Sequence, residues 1–488
     1  MRVFLAVRLP RLPLEVHLPQ WVPSPAAGCV VLERGQVLVA DARAREAGVR
    51  PGLKSGGVLT LAPDTTMFER DLAREADAMM AVAVALMRFS PNAALCAEAT
   101  VLLDVGASLR LFGGVGKLCR EAAAVLRTLG FTARISAAPT GQGAWLLAQR
   151  GAKRLLKMSS LEKALASQPF TDVPEVQPFA QWFTGIGCAT IADIRRLPRA
   201  GLQRRCGPHL LDSLDRAFGV APEFYVWLQL PPTFSARVEL PDRVTQADAI
   251  FFATQRLIAQ MCGWLVASQL ALTGARVMFE HERGRAAIPP TEIEITLAEP
   301  TWREAHLLRL LKERLDRTAL AAAVLAVRLE ANKVTQAVPA SDALFPGPGG
   351  TAAEHRRLIE LLVARLGAEN VLTPAPTADH RPEIANRWVP IQHAPKPHPL
   401  PQALPRPTWL LENPVQLLMR ENRPFYGSPL KMVSPSERIE GGWFDGHVVT
   451  RDYYVAQAKD QSCYWIYRER ATSLSAEAPR WFLHGLFG

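Results

Sequence analysis

Residues 97–114 read AEATVLLDVGASLRLFGG. Within them Val101, Leu102, Leu103 and Val105 surround one acid, Asp104, in the pattern of a strand buried on both faces. Gly106-Ala107-Ser108 ends the run with turn residues. Strands of this kind often present catalytic acids at their ends. Here the two positions before the apolar run are Ala99 and Thr100, a methyl group and a hydroxyl. The stretch is either an ordinary core strand or a catalytic strand without its chemistry, and its neighbours must decide.

Outward from it, strands alternate with helices. Residues 3–7 form a short apolar strand, and CVVLERGQVLVAD (29–41) a hairpin turning at Arg34-Gly35-Gln36. DARAREAGVRPG (41–52) reads as a helix stopped by Gly48 and Pro51-Gly52. Helices are predicted over 71–89 and 116–129, a strand at FTARISAAP (131–139) and a helix at GQGAWLLAQRG (141–151). Residues 178–218 change to short helices joined at Gly185-Ile186-Gly187 and Pro198. Residues 233–333 follow the order β-α-β-β-α-β, a compact ferredoxin-like unit. A Pro/Gly break at 339–350 precedes a helix at 352–366, basic on one side and apolar on the other. A proline-rich linker (394–407) leads to an aromatic-rich block. Its period-2 runs WFDGHVVTRDYYVAQ (443–457) and SCYWIYRER (462–470) predict a small antiparallel sheet.

The 488 residues suffice for about three to five domains. A net charge of +10, carried mainly by arginine, suits a polyanionic partner such as nucleic acid, although a coding bias toward Arg and Ala would raise it too. Seven scattered cysteines, with no CxxC and no zinc spacing, read as reduced thiols in a cytosol. The N-terminus has no signal-peptide core and no run reaches the length a transmembrane helix needs, so a cytoplasmic protein with no membrane partner is expected.

Taken in order, five pieces resemble a Y-family translesion DNA polymerase. They are the N-terminal strand, ADARAREAGVRPGL (40–53), VLLDVGASLRLFGG (101–114), RISAAPTGQGAWLLA (134–148) and FTGIGCATIADIRRLPR (183–199). The resemblance covers residues 1 to about 333 and implies a multidomain α+β/α/β right hand. It places a palm at 1–20 and 82–165, fingers at 21–81, a helix-hairpin-helix thumb at 166–232 and a little finger at 233–338. Beyond these follow a clamp-binding linker (339–350), a helical extension (351–393), the proline-rich linker (394–407) and a β-rich partner-binding domain (408–488).

The departures from the family are equally informative. Phosphoryl transfer there needs two Mg²⁺ held by palm carboxylates. The matching positions in this chain are Arg8, Ala99 and Thr100. All three oxygen ligands are missing, and a guanidinium repels Mg²⁺. Glu98, one residue out of phase, is expected on the opposite face. Asp104 matches a family Asp that is not a metal ligand and reads as a capped strand end. Arg45 matches a triphosphate-contacting Arg, but its aromatic partner is replaced by Ala42, and two usual lysines by Gly141 and Trp145. No catalytic residue, metal or other cofactor is therefore expected. ERIEGGWFDG (437–446), RDYYVAQ (451–457) and PRWFLHGLFG (479–488) resemble an inactive branch of the family, the polymerase-like subunits of bacterial damage-inducible mutasomes. That branch implies a DNA-binding adaptor joining the sliding clamp, ImuA and an error-prone C-family DNA polymerase. The alternative is an active nucleotidyltransferase using Glu98 and Asp104.

For DNA, the expected contacts are Gly185 and Gly187, whose turn lets backbone N–H groups approach a phosphate, with Arg195, Arg196, Arg199, Arg204 and Arg205 beside them. A solvated basic face is the other reading. Arg237, Arg243, Arg276, Arg283 and Arg285 could track a duplex from the little finger. The clamp-binding candidate is Ser341-Asp342-Ala343-Leu344-Phe345, with QLALT (269–273, inside a strand) and QLLMR (416–420, helical) behind it. The tail WFLHGLFG either packs on its own domain or docks a partner, with His484 a packed or exposed residue and not a ligand.

Overall fold

The computed structural model describes residues 2–20, 22, 24–282, 288–337, 352–395, 404–470 and 480–487. They form two compact units, Met1–Leu361 and Leu362–Gly488.

In the first unit, β1 (Phe4–Arg8) and α1 (Leu12–Glu15) precede a small lobe made of β2 (Cys29–Glu33), β3 (Gln36–Ala40), α2 (Ala42–Glu46), α3 (Ser55–Leu61) and β4 (Thr66–Glu69), with strand order β3-β2-β4. The chain continues through α4 (Leu72–Leu86), β5 (Ala93–Cys96), β6 (Thr100–Asp104), α5 (Val115–Leu129), β7 (Arg134–Ala138) and α6 (Gly141–Arg150). Strands β5-β6-β1-β7 make the first sheet, antiparallel throughout. Alternation sorts its side chains. Leu5, Val7, Val101 and Leu103 point into a core with α4 and α5, whereas Phe4, Ala6, Leu102 and Ala138 point into a second core with α6 and the helices after it. Both faces are covered, which is why consecutive residues of the run are apolar. Asp104 closes the strand: its Oδ1 accepts from Gly106 N at 3.2 Å.

Five short helices follow: α7 (Met158–Ala166), α8 (Ala180–Gly185), α9 (Ile191–Arg196), α10 (Arg199–Cys206) and α11 (Pro208–Ala217). Next come β8 (Ser235–Val244), α12 (Ala247–Ala267), β9 (Leu270–Glu280), β10 (Thr291–Thr301), α13 (Glu304–Leu315) and β11 (Val324–Gln336). The strand order β10-β9-β11-β8 is antiparallel between neighbours, so two β-α-β crossovers are interleaved, each split by one strand. Helix α12 corrects the reading of membrane-length runs. By length and composition it could cross a bilayer, but most of it is buried, against this sheet and α4. The approach to α4 requires Gly263, because a Cβ there would overlap Val84 O. Helix α14 (Ala352–Leu366) begins in this unit, where Glu360 accepts from His306 Nε2 at 2.7 Å and from Ala298 N at 2.5 Å.

The second unit is β-rich. The hairpin β12 (Leu372–Pro376)–β13 (Asn386–Pro390) precedes β14 (Trp409–Gln416), β15 (Leu418–Arg420), β16 (Arg423–Tyr426), β17 (Ser428–Pro429), β18 (Lys431–Met432), β19 (Glu437–Gly441), β20 (Val449–Gln457), β21 (Cys463–Glu469) and β22 (Trp481–Leu486). The main sheet runs β14-β22-β21-β20-β18, with β19 also on β20, while β15-β16-β17 form a small meander. QLLMR, expected to be helical, is instead the end of β14 and all of β15. Leu417 is buried between exposed Gln416 and Leu418, the alternation of extended chain. QLALT begins at Gln269, just before β9, and its remaining residues lie in that strand with Leu272 fully buried. The apolar tail packs into its own sheet as β22, and His484 is buried against Tyr453, whose hydroxyl lies 2.8 Å from His484 Nδ1.

Candidate nucleic-acid interface

One row of residues ends the first sheet: Cys96, Thr100, Arg8 and Arg134 are successive cross-strand partners. Thr100 is fully buried, and its hydroxyl donates to Glu98 O at 3.0 Å. Arg8 donates to Gln149 O at 3.1 Å and to Glu98 Oε2 at 3.2 Å. Glu98 was expected on the opposite face, and the structure corrects this. Glu98 and Ala99 both have positive φ, 55° and 47°, so strand alternation does not apply and the turn brings the carboxylate to Arg8. Burial pushes the Cys96 thiol up to about 11, with the Glu223 charge adding to it. Mg²⁺ requires hard oxygen ligands in octahedral array. This row supplies one thiol, one hydroxyl and two guanidinium groups, and does not fit such an ion. Among the described residues no group of three His, Cys, Asp or Glu side chains could share a metal.

The first turn of α6 is an anion seat filled from within. Glu223 accepts from Gly141 N at 2.8 Å and Gln142 N at 2.6 Å, and Tyr225 Oη donates to the same carboxylate at 3.0 Å. A Cβ at Gly141 would overlap Tyr225 and press on Leu102. Trp145 is buried one turn along, its Nε1 donating to Ala97 O at 3.1 Å. Burial, with the Glu223 charge, raises the Tyr225 phenol above its ordinary value. Arg45, on exposed α2, donates Nε to Asp41 O at 3.0 Å, four residues back.

All seven thumb residues singled out are exposed, but the structure corrects how they would act. Gly187 has φ +81°, as the turn requires. The N–H groups of Ile186, Gly187 and Cys188 donate within the hairpin, to Trp182 O, Thr184 O and Phe183 O. Those of Ala189 and Thr190 donate to Asp193 Oδ2 at 3.1 and 2.9 Å, in a capping box that holds the Asp193 carboxyl below its usual range. The turn's backbone donors are therefore already engaged. Arg199 makes two bonds to Asp215, at 2.9 and 2.5 Å, and lowers that carboxyl's pKa. Arg195 lies over the Phe218 ring and Arg205 over Trp182, at 3.7 and 4.4 Å. Among the described residues Arg196, 80% exposed, has one long contact to Asp193, and Arg204 bonds only Ala200 O, four residues back.

On the second sheet, the face away from α12 and α13 carries ion pairs. Arg237 binds Glu239 and Glu280 at 2.8 and 3.1 Å, Arg328 binds Glu280 at 3.3 Å, and Arg276 lies 3.7 Å from both Glu292 and Glu294. Arg243 pairs with Glu282 at 2.7 Å. These arginines are compensated, which weakens their reading as duplex contacts. Arg283, Arg285 and the clamp candidate Ser341–Asp342–Ala343–Leu344–Phe345 lie outside the described residues.

Sequence reasoning missed Glu223, Arg134 and Asp193. Asp193 was legible as the T-x-x-D capping box starting at Thr190. The other two depend on segments far apart in the chain.

Residues 23–149 match the impB/mucB/samB family. Protein ImuB of Caulobacter vibrioides, in strains NA1000 / CB15N and CB 15, is 26% identical over 463 residues, spanning 90% of this chain and 100% of the relative. Among solved structures, the "Dbh Ternary Complex (substrates partially disordered)" superimposes with a TM-score of 0.39 at 15% identity, covering 67% of this chain and 98% of that one. A Y-family DNA polymerase chimera gives 0.40 at 14%, covering 68% and 99%. Over nine-tenths of its length the chain is similar to Protein ImuB, and its residues 23–149 match the impB/mucB/samB family.

Proposed function

We propose that this chain is a non-catalytic DNA-binding adaptor in damage-induced translesion synthesis, linking the sliding clamp, ImuA and an error-prone C-family polymerase. The similarity to ImuB and the impB/mucB/samB domain support a translesion-synthesis-related role. The observation that carries the non-catalytic part is the pairing of Arg8 with Thr100, directly after Ala99. A cation and a buried hydroxyl stand where the family resemblance implies metal-binding acids. The displaced acids are engaged as well: Glu98 with Arg8, Asp104 with Gly106 N. Exposed Arg196 and Arg204 and the +10 charge support DNA contact from the thumb. Tethering by Leu344 and Phe345 would make weak DNA contacts intramolecular. Each side chain buried in a clamp pocket would contribute about 1.5–3 kcal/mol.

The test is primer extension by the purified chain with Mg²⁺ or Mn²⁺. No incorporation is expected. Template-directed incorporation that Asp104→Ala abolishes would overturn the proposal.

A further inference from the structure

Arg8 and Arg134 pair directly across β1 and β7, and both guanidinium groups donate to the carbonyl oxygen of Gln149, at 3.1 and 2.7 Å. Gln149 lies in the last turn of α6, where carbonyls carry partial negative charge. That accounts for one N–H of each arginine. It does not account for two like charges at directly opposite positions, which is an unfavourable arrangement. Among the described residues one carboxylate pairs with them, Glu98 with Arg8, and its side chain is 55% exposed. Such a surface pair is weak and is readily exchanged. A guanidinium has five N–H donors. Among the described residues Arg8 Nε is buried without a hydrogen-bond partner, and exposed Arg134 makes one bond. The rest of the row, Thr100 and Cys96, brings no charge at neutral pH, since burial raises the thiol.

We infer that this end of the first sheet is a phosphate seat, in which Arg8 and Arg134 together hold a phosphate group of a DNA strand or of a free nucleotide. The anion relieves the repulsion between the two guanidinium groups and displaces Glu98. Paired guanidinium groups suit the several oxygens of one phosphate. No divalent cation is needed. The end of the sheet that cannot hold Mg²⁺ thus binds directly the group that Mg²⁺ would otherwise bridge. For the strand, this inference rests on the DNA-binding reading above.

The test uses the full-length chain without divalent cations. Anisotropy of a labelled primer–template is measured over a salt series for the wild type, Arg134→Gln, Arg8→Gln and the double variant, and dATP binding is measured by equilibrium dialysis. Arg134 is exposed, so its variant should melt like the wild type. A strand phosphate predicts that each single variant flattens the log–log salt slope by about one unit and the double by up to about two. A free nucleotide predicts an unchanged slope and dATP binding that Arg134→Gln loses. Arg134→Gln and the double variant matching the wild type in both arms would overturn the seat. Failure of the wild type to bind DNA would sink the adaptor reading instead, leaving the seat to be decided by the dATP arm.

Discussion

Glu223 reaches across the chain to Gly141, whose N–H donates to its carboxylate at 2.8 Å in the first turn of α6. The segment carrying Glu223 alternates: Glu223, Tyr225 and Trp227 are half-buried, whereas Phe224 and Val226 are exposed. A side chain of the protein itself thus satisfies the helix end that a phosphate could occupy. Replacing Glu223 with Gln removes a charged acceptor from two backbone donors, and should cost about 1–2 kcal/mol in urea unfolding of the first unit. Gly141→Lys, which restores a lysine, should destabilise the chain because its Cβ overlaps Tyr225. An unchanged unfolding midpoint in both variants would show that the strap is not fastened there.

The thumb arginines should separate into two classes. Neutralising Arg196 and Arg204 together should flatten the salt dependence of DNA binding by up to about two units. Arg199→Gln should change the slope less and lower the melting temperature, because it frees the Asp215 carboxylate it now binds bidentately. Equal slopes for the wild type and the Arg196/Arg204 double variant would mean that these two side chains only face solvent.

His484 makes the second unit sensitive to acid. Burial drives its imidazole down to about 4, well below the ordinary value near 6.5. It is neutral when folded and binds a proton more readily when unfolded. Its contribution is therefore complete above about pH 6.5, and is lost as pH falls toward 4. The full loss is on the order of 3 kcal/mol. Urea melts followed by tryptophan fluorescence at pH 7.5 and 4.5 should show it. His484→Phe should flatten this pH dependence while lowering the stability at pH 7.5, since the Tyr453 hydroxyl loses its imidazole contact and keeps only the one from Arg451. A pH dependence unchanged in that variant would assign the acid sensitivity to other groups.

Much of the fold was legible because it is written locally. The double-faced strand at 101–105, the hairpin at Arg34-Gly35 and the helix before Gly130 follow from run length and turn residues alone. The QLLMR helix failed because a three-residue apolar run, Leu417 to Met419, fits either period, and cross-strand pairing of β15 with β16 settled it. At the site, the absence of acids at Arg8, Ala99 and Thr100 was visible in the letters. The contacts that give it meaning were not: Arg134 beside Arg8 is a matter of register, Glu98 turns back through a left-handed backbone, and Glu223 meets α6 from 82 residues away. Asp193 occupying the hairpin's donors shows the reverse case, a local motif whose consequence for phosphate binding appears only in its hydrogen bonds.

The row Cys96–Thr100–Arg8–Arg134 does not fit a divalent cation. Electron paramagnetic resonance of Mn²⁺ titrated into the DNA-free, full-length chain measures this most directly. The free Mn²⁺ signal should rise with each addition, with no stoichiometric site. One ion bound per chain, and lost in Glu98→Ala or Asp104→Ala, would contradict it.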